Sequence, residues 1–248
     1  MSSSAGIIII GDEILSGRTK DININWIATE LNKIGIKLEE AIIIQDDKKI
    51  IIEKVLNFSK RFTYVFTSGG IGPTHDDITT EAIATAFGMK LEKNKIAMEL
   101  LRKYYQKSNI EFNEARQKMA IIPKGASLID NPVSIAPGFN VKNVFVFAGV
   151  PKIMQSMFHS ILNKLKGGVM IKSKTITCNI GEGKIANDLK RIEQKFFGIK
   201  IGSYPYFNPK SFGTSIVIRS KYQKNIILAS KELLSIIKKL GGEFEIKD

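Results

Sequence analysis

The sequence predicts an α/β protein, a three-layer α/β/α sandwich on a mostly parallel sheet, followed by a small α+β domain. Three observations carry this. Short continuous apolar runs at 5–10, 62–66 and 144–147 each end in a polar or glycine-rich loop, the pattern of strands buried on both faces. Between them lie stretches with apolar residues at helical spacing, and strand–loop–helix units in series build open sheets covered on both faces. After Lys166-Gly167-Gly168 the order changes to strand, helix, strand, strand, helix. The boundary is drawn there, with residues 1–168 as the larger domain and 169–248 as a small but viable folding unit.

Taken in order, residues 5–10 form the first strand and end in Gly11-Asp12-Glu13. Ile22, Trp26, Ile27, Leu31 and Ile34 fall on one helical stripe, and Gly35 stops that helix. A second strand at 36–44 leads into Gln45-Asp46-Asp47 and a helix over 48–60, and a third at 62–66 leads into the loop 67–77 and a helix over 78–87. Residues 93–108 read as another amphipathic helix. The strand at 144–147 runs into Ala148-Gly149-Val150-Pro151, where proline suits the first turn of a helix over 152–165. In the tail, strands at 173–180, 199–204 and 214–220 alternate with helices at 184–196 and 225–240. Trp26 sits on a core stripe, Cys178 lies mid-strand as a buried thiol, and Tyr204-Pro205-Tyr206-Phe207 reads as packing.

Composition removes several classes. One cysteine and two histidines, His75 and His159, rule out a disulfide framework, a multi-cysteine cluster and a histidine-rich zinc site. The apolar runs are too short to span a bilayer, and the start Met-Ser-Ser-Ser-Ala enters a strand without the regions of a signal peptide, so a cytoplasmic protein without membrane contact is expected. The net charge of +13 comes from 31 Lys and only 6 Arg, beside 41 Ile. That pairing is a compositional bias rather than a phosphate-reading surface, where Arg forks are expected.

The strongest local signal is Thr67-Ser68-Gly69-Gly70-Ile71-Gly72-Pro73-Thr74-His75-Asp76-Asp77. Three glycines within four positions, between a buried strand and a helix, let backbone N–H groups approach an anion. The acids set it apart from a simple phosphate cradle, because carboxylates beside a phosphate make sense when a divalent cation or a positioned water joins them. Asp77 reads first as the N-cap of the 78–87 helix, with a catalytic role as the alternative. Asp76 has no such local task and is the favoured functional acid, while His75 reads as polar surface. Asp46-Asp47 repeats the theme as a cap plus an inward acid, and Gly11-Asp12-Glu13 forms a third strand-end cluster. A parallel sheet gathers all three at one rim.

With these residues in view, the sequence resembles the CinA branch (competence/damage-inducible protein A) of the MoaB/Mog molybdopterin-binding family, and is similar to the N-terminal domain of eukaryotic two-domain FAD synthases. The likeness runs through Gly11-Asp12-Glu13-Ile14-Leu15-Ser16-Gly17, Asn23 and Asn25, Gln45-Asp46-Asp47, the Ser68–Asp77 string, Ala115-Arg116-Gln117-Lys118-Met119-Ala120, Pro123-Lys124-Gly125-Ala126, Asn131, Ala136-Pro137-Gly138-Phe139 and Gly149-Val150-Pro151. Gly181-Glu182-Gly183 and Gly202-Ser203-Tyr204-Pro205 resemble the family's small KH-like domain. Ala148 stands where the family has a proline, and nothing in these residues could form the amidohydrolase domain of full-length CinA proteins, so that activity is not carried over.

The resemblance implies a nucleotide or pterin pocket at the sheet rim. MoaB/Mog members bind molybdopterin and adenylate it with Mg²⁺ and acids matching Asp46 and Asp76; CinA-type relatives are associated with hydrolysis of ADP-ribose-like diphosphates, and the FAD synthase relatives with hydrolysis of FAD. The expected reading is a metal-dependent hydrolase of a nucleotide diphosphate. Asp76, Asp46 and Asp77 would be its catalytic acids, with Asp76 and Asp46 on a divalent cation (Mg²⁺, Mn²⁺ or Co²⁺), and K⁺ as a further candidate ion. Thr67, Ser68, Gly69, Gly70, Gly72, Thr74, Asp12, Glu13, Asn131, Gly138 and Gly149 would bind substrate. The alternatives are molybdopterin binding or adenylation, and a nucleic-acid or assembly module built on the tail. Nucleic acid is not expected as a partner, because residues 181–184 read Gly-Glu-Gly-Lys rather than a GxxG clamp. An exposed strand edge leaves homo-oligomer assembly open.

Overall fold

The structure is a computed structural model that describes residues 3–208 and 211–247. The chain divides into two compact units, Met1–Gly168 and Val169–Asp248.

The first unit runs β1 (Ser4–Ile10), α1 (Asp12–Leu15), α2 (Asn23–Lys33), β2 (Lys37–Ile44), α3 (Lys48–Arg61), β3 (Tyr64–Ser68), α4 (Thr79–Ala86), β4 (Leu91–Lys93), α5 (Lys95–Lys107), α6 (Glu114–Lys118), β5 (Ile121–Pro123), β6 (Ser127–Ile129), β7 (Gly138–Val141), β8 (Val144–Phe147) and α7 (Pro151–Ile161). Its main sheet has the order β2-β1-β3-β8-β7-β6. The first four strands are parallel, and β7 and β6 close the sheet in antiparallel pairing. β1 lies between β2 and β3 and is buried on both faces from Ala5 to Ile10, which is why those residues carry no polar side chain. Ala5, Ile7 and Ile9 face a core with α2 and α7, while Ile8 and Ile10 face a second core with α3 and α4. On the first face, Phe66 stacks on Phe147 with ring centroids 5.9 Å apart, a contact worth about 1 kcal/mol beyond burial. Trp26 meets Phe158 edge-on at 5.5 Å and His159 at 5.3 Å, joining α2 to α7.

The second unit comprises β9 (Lys172–Cys178), α8 (Glu182–Lys195), β10 (Lys200–Asn208), β11 (Ser211–Ser220), α9 (Gln223–Lys239) and β12 (Phe244–Lys247). Its antiparallel sheet has the order β10-β11-β9-β12. The sequence reading stopped at the last helix; the structure adds β12 beside β9, completing a β-α-β-β-α-β unit. Ile176, Cys178, Ile216 and Ile218 form one side of a core closed by Ile185, Leu189, Ile226 and Leu233 from α8 and α9. Among the described residues no helix is long and apolar enough to cross a membrane.

Candidate functional site at the strand-end rim

Four parallel strands deliver their C-terminal ends to one rim. In lateral order these are Ile44 of β2, Ile10 of β1, Ser68 of β3 and Phe147 of β8. At β3 the chain must turn sharply. Gly69 has φ +114, and a Cβ there would lie 2.1 Å from the Ile10 carbonyl oxygen; Gly70 has φ +68, and its Cβ would lie 2.1 Å from Thr79 Oγ1. Both positions need glycine for conformation and for room. The turn is pinned by Gly69 N–H donating to Phe147 O at 3.1 Å and by Thr79 N–H donating to Gly70 O at 2.9 Å. Gly149 packs against it so closely that a Cβ would stand 3.3 Å from Gly69 Cα.

The loop after the turn is organised by Asp77, which corrects the sequence reading. Helix α4 starts at Thr79 with Ile78 in the N-cap position and no side-chain cap. Asp77 turns back instead, accepting the Thr74 N–H at 2.8 Å and the Thr74 hydroxyl. Gly72 leaves room for it, since a Cβ there would lie 2.6 Å from Asp77 Oδ2. In the other acid pair Asp47 does act as a cap, at α3, where it accepts the N–H groups of Lys49 and Ile50 at 2.8 and 3.0 Å.

Asp46 then remains as the inward acid of its pair. Its Oδ2 accepts the Asp12 N–H at 3.0 Å. Burial raises its proton affinity; the Asp12 N–H bond opposes this, and the charges of Asp12, Glu13 and Asp76 add to it. Four carboxylates from three strand ends therefore share one electrostatic neighbourhood. Asp76 is exposed and is held below the usual carboxylate range, first by the Thr74 hydroxyl, then by its own N–H, His75 and Lys118. Thr74 has a single hydroxyl proton, which the geometry directs at Asp77, so Asp76 is the competing acceptor. Lys118 of α6 reaches the Thr74 carbonyl with its ammonium group.

Not every residue expected at the site converges on it. Asn131 is buried and spends its amide on its own turn, donating to Ser134 Oγ at 2.6 Å and Ala136 O at 2.8 Å, and accepting from the N–H groups of Val133 and Ser134. Gly138 is a packing glycine in β7, where a Cβ would lie 2.4 Å from Val146 O. Thr67 and Ser68 are buried at the end of β3. Ser68 donates to Ala148 O at 3.2 Å, whereas Thr67 Oγ1 has no hydrogen-bond partner among the described residues.

Three further residues belong to the rim that sequence reasoning had not placed in the site. Thr79 is fully buried beneath Gly70, its hydroxyl without a hydrogen-bond partner among the described residues. Asn23 donates to Ser68 Oγ at 3.0 Å and to Gly149 O at 2.8 Å. Lys118 is the third. Asn23 and Thr79 each stand at the first position of a helix that follows a strand-end cluster, and that was the available signal.

Among the described residues no three Asp, Glu, His or Cys side chains form a metal cage by themselves. The donors present are carboxylate oxygens, which suit a hard divalent cation that completes its shell with water and phosphate. Two surface grooves of about 500 and 570 Å³ lie along α7 and α5 and are lined by none of the expected site residues.

Residues 6–167 match the family described as a probable molybdopterin binding domain, and residues 170–241 match the middle domain of FAD synthase. A protein of Archaeoglobus fulgidus is 38% identical over 199 residues, covering 80% of this chain and 84% of that protein. A protein of Sulfurisphaera tokodaii is 32% identical over 254 residues, covering 96% of each. The crystal structure of the protein CinA from Thermoplasma acidophilum superposes with a TM-score of 0.61 at 32% identity, over 66% of this chain and 98% of that one. On the strength of the match across its larger unit, the chain belongs to the family of molybdopterin-binding domains, and it carries behind that domain one like the middle domain of FAD synthase.

Proposed function

We propose that the rim binds a small phosphorylated ligand of the nucleotide or pterin kind and hydrolyses a nucleotide diphosphate of the ADP-ribose or FAD type. The observation that carries the reading is the placement of Asp46, in the neighbourhood of Asp12, Glu13 and Asp76, on the same rim as the Gly69-Gly70 turn. An anionic diphosphate beside four carboxylates needs compensating positive charge. Asp46 and Asp76 would hold a divalent cation, which when bound offsets the charge of the diphosphate and of the developing transition state.

The chain's own contributions follow from the geometry. The Gly69-Gly70 turn leads toward the start of α4, a helix that no side chain caps. Asp46, held by the Asp12 N–H, is suited to orient the water whose oxygen attacks phosphorus as the bridging P–O bond breaks, the water's proton passing to solvent. Asp76 stays ionised, and Lys118 adds one positive charge beside it. Asp77 organises the loop through Thr74 rather than meeting substrate.

The test is incubation of the whole chain with ADP-ribose, FAD and related dinucleotides in the presence of Mg²⁺, Mn²⁺ or Co²⁺, with and without added K⁺, following release of AMP. Turnover that needs a divalent ion and is lost in Asp76→Ala supports hydrolysis. Absence of turnover with every metal, or full activity in Asp76→Ala, removes it. The second reading is binding or adenylation of molybdopterin, favoured by the family match of residues 6–167. Retention of molybdopterin by the chain, with AMP transferred to it from ATP, would replace the first reading.

A further inference from the structure

The second unit packs both of its helices on one face of its sheet. Ile176, Ile216 and Ile218 meet α8 and α9. Side chains alternate along a strand, so Val217 and Arg219 of β11 face the other way, together with Tyr204 and Tyr206 of β10, whose partners in register are Ser215 and Gly213. Among the described residues of this unit no helix covers that second face.

Both tyrosines lean over the sheet rather than standing off it. A Cβ at Gly202, two residues before Tyr204, would lie 2.9 Å from the Tyr204 hydroxyl and 3.1 Å from its Cε2. A Cβ at Gly213 would lie 2.7 Å from the Tyr206 hydroxyl and 2.9 Å from its Cζ. Each ring thus fills the space that a side chain at the glycine would take, and Tyr206 donates to Cys178 O at 3.4 Å. Tyr204 stays 49% exposed. Arg219, also exposed, brings Nη2 to 3.5 Å from the Tyr204 hydroxyl. Its partner in register is Lys200, whose ammonium is 2.9 Å from Glu193. Glu245, opposite Thr177, stands on the far edge strand from the tyrosines.

Three occupants are conceivable, and the residues choose among them. A strand from another chain could add to β10, but that edge is blunted: the Ile201 N–H is taken by Glu193, and Pro205, in the same phase of the strand, has no N–H to give. A second sheet packed face to face needs an apolar surface, whereas the central strands present Thr175, Thr177 and Ser215 here, with Val217 alone aliphatic among them. A polyanion with planar groups meets neither obstacle. Residues 169–248 hold 15 Lys and Arg against 7 Asp and Glu. Those cations lie on both layers, so charge attracts a polyanion without placing it; the tyrosines place it.

We infer that this open face binds single-stranded nucleic acid, with bases stacking on Tyr204 and Tyr206 and the backbone phosphates meeting Arg219 and Lys200. Four-stranded sheets with helices on one face serve this purpose elsewhere through aromatic residues, and stacking on a ring is tolerant of base identity. The missing GxxG clamp excludes a different mode of binding, in which a loop grips the backbone, and leaves this face untouched.

The experiment titrates the whole chain into fluorescently labelled 12-mers of oligo-U and oligo-dT and into a 12-base-pair duplex, reading anisotropy at 50 and 200 mM salt. Single strands are expected to bind at least tenfold more tightly than the duplex, and the tighter of the two names the sugar recognised. Tyr204→Leu and Tyr206→Leu should each weaken single-strand binding about tenfold with the salt slope unchanged, whereas Tyr204→Phe should bind as wild type. Arg219→Gln should weaken it several-fold and lower the slope by about 0.7. Lys231→Gln, on α9, is the control for charge alone and should change little. Unchanged thermal midpoints show that the variants fold. No binding at 50 mM salt, equal binding of duplex and single strand, or equal weakening by Lys231→Gln and Arg219→Gln overturns the inference. So does binding indifferent to both leucine variants; if these also lower the mass in solution, the face belongs to contact between copies.

Discussion

The backbone N–H of Asp12 donates to Asp46 Oδ2 at 3.0 Å, so the end of β1 grips the acid at the end of β2. The same contact brings the Asp12 and Glu13 carboxylates toward Asp46, where their charge works against its ionisation. One backbone bond thus stabilises the ionised form while the local charges destabilise it, and burial decides the balance upward. A carboxyl whose proton affinity is higher in the folded chain than in the unfolded one opposes folding while ionised. That cost disappears as pH falls through its folded value.

Asp46→Asn is therefore expected to leave folding stability at neutral pH unchanged or slightly raised, while reducing hydrolysis by about a hundredfold or more. Denaturant unfolding at pH 7 and initial rates with Mg²⁺ measure the two effects separately. A variant that is both unstable and inactive would mean that Asp46 serves the fold first.

Gly69→Ala should cost about 3 kcal/mol, because the new Cβ meets the Ile10 carbonyl at 2.1 Å and the backbone sits at φ +114. Gly17 provides the control. It also has a positive φ, +73, but nothing within 4 Å of a Cβ, so Gly17→Ala should cost about 1 kcal/mol. Urea midpoints for the pair separate close approach from conformation alone.

Lys118→Met removes the ammonium that reaches the Thr74 carbonyl beside Asp76. Surface contacts of this sort contribute about 0–1 kcal/mol to folding, so the melting temperature should barely move. The KM for a diphosphate substrate should rise several-fold, with a smaller change in kcat. A large fall in melting temperature would assign Lys118 to structure instead.

In the second unit, Glu193 accepts the Ile201 N–H at 2.7 Å and the Lys200 ammonium at 2.9 Å. These partners, the N–H first, hold its carboxyl below the usual glutamate range. Its stabilising contribution is present above the unfolded-state value and is lost as pH falls through the lower folded one. Glu193→Gln should be less stable than wild type by about 1 kcal/mol at pH 7, with the gap closing from about pH 5 downward. Unfolding curves at pH 7, 5 and 3.5 follow it.

The core strands and the rim could be read from sequence because each depends on a strong local pattern. The apolar run of β1 requires burial on both faces, and glycines 69 and 70 announce a turn that no other residue can make. Elements set by pairing with distant chain were not visible. β6 has three residues and β7 four, too few for an alternating pattern; β7 exists because β8 offers an edge, and β6 because β7 does. β12 is a four-residue strand recruited by β9. Asp77 misled for a related reason: two residues before an α-helix it looks like a cap, yet the Thr74 N–H, three residues back, is the donor it satisfies. Asn23 and Thr79 escaped because an unpartnered buried atom is a property of packed neighbours, and no spacing encodes it.

Trp26 is the chain's sole tryptophan, and it lies one helical turn along α2 from Asn23 with its indole against Phe158 and His159 of α7. The junction clasped by Asn23 is spanned by these same two helices. The protein thus carries a built-in optical probe: ultraviolet emission from a single indole registers any shift of α2 against α7, so occupancy of the rim can be followed without a label or a substrate that turns over.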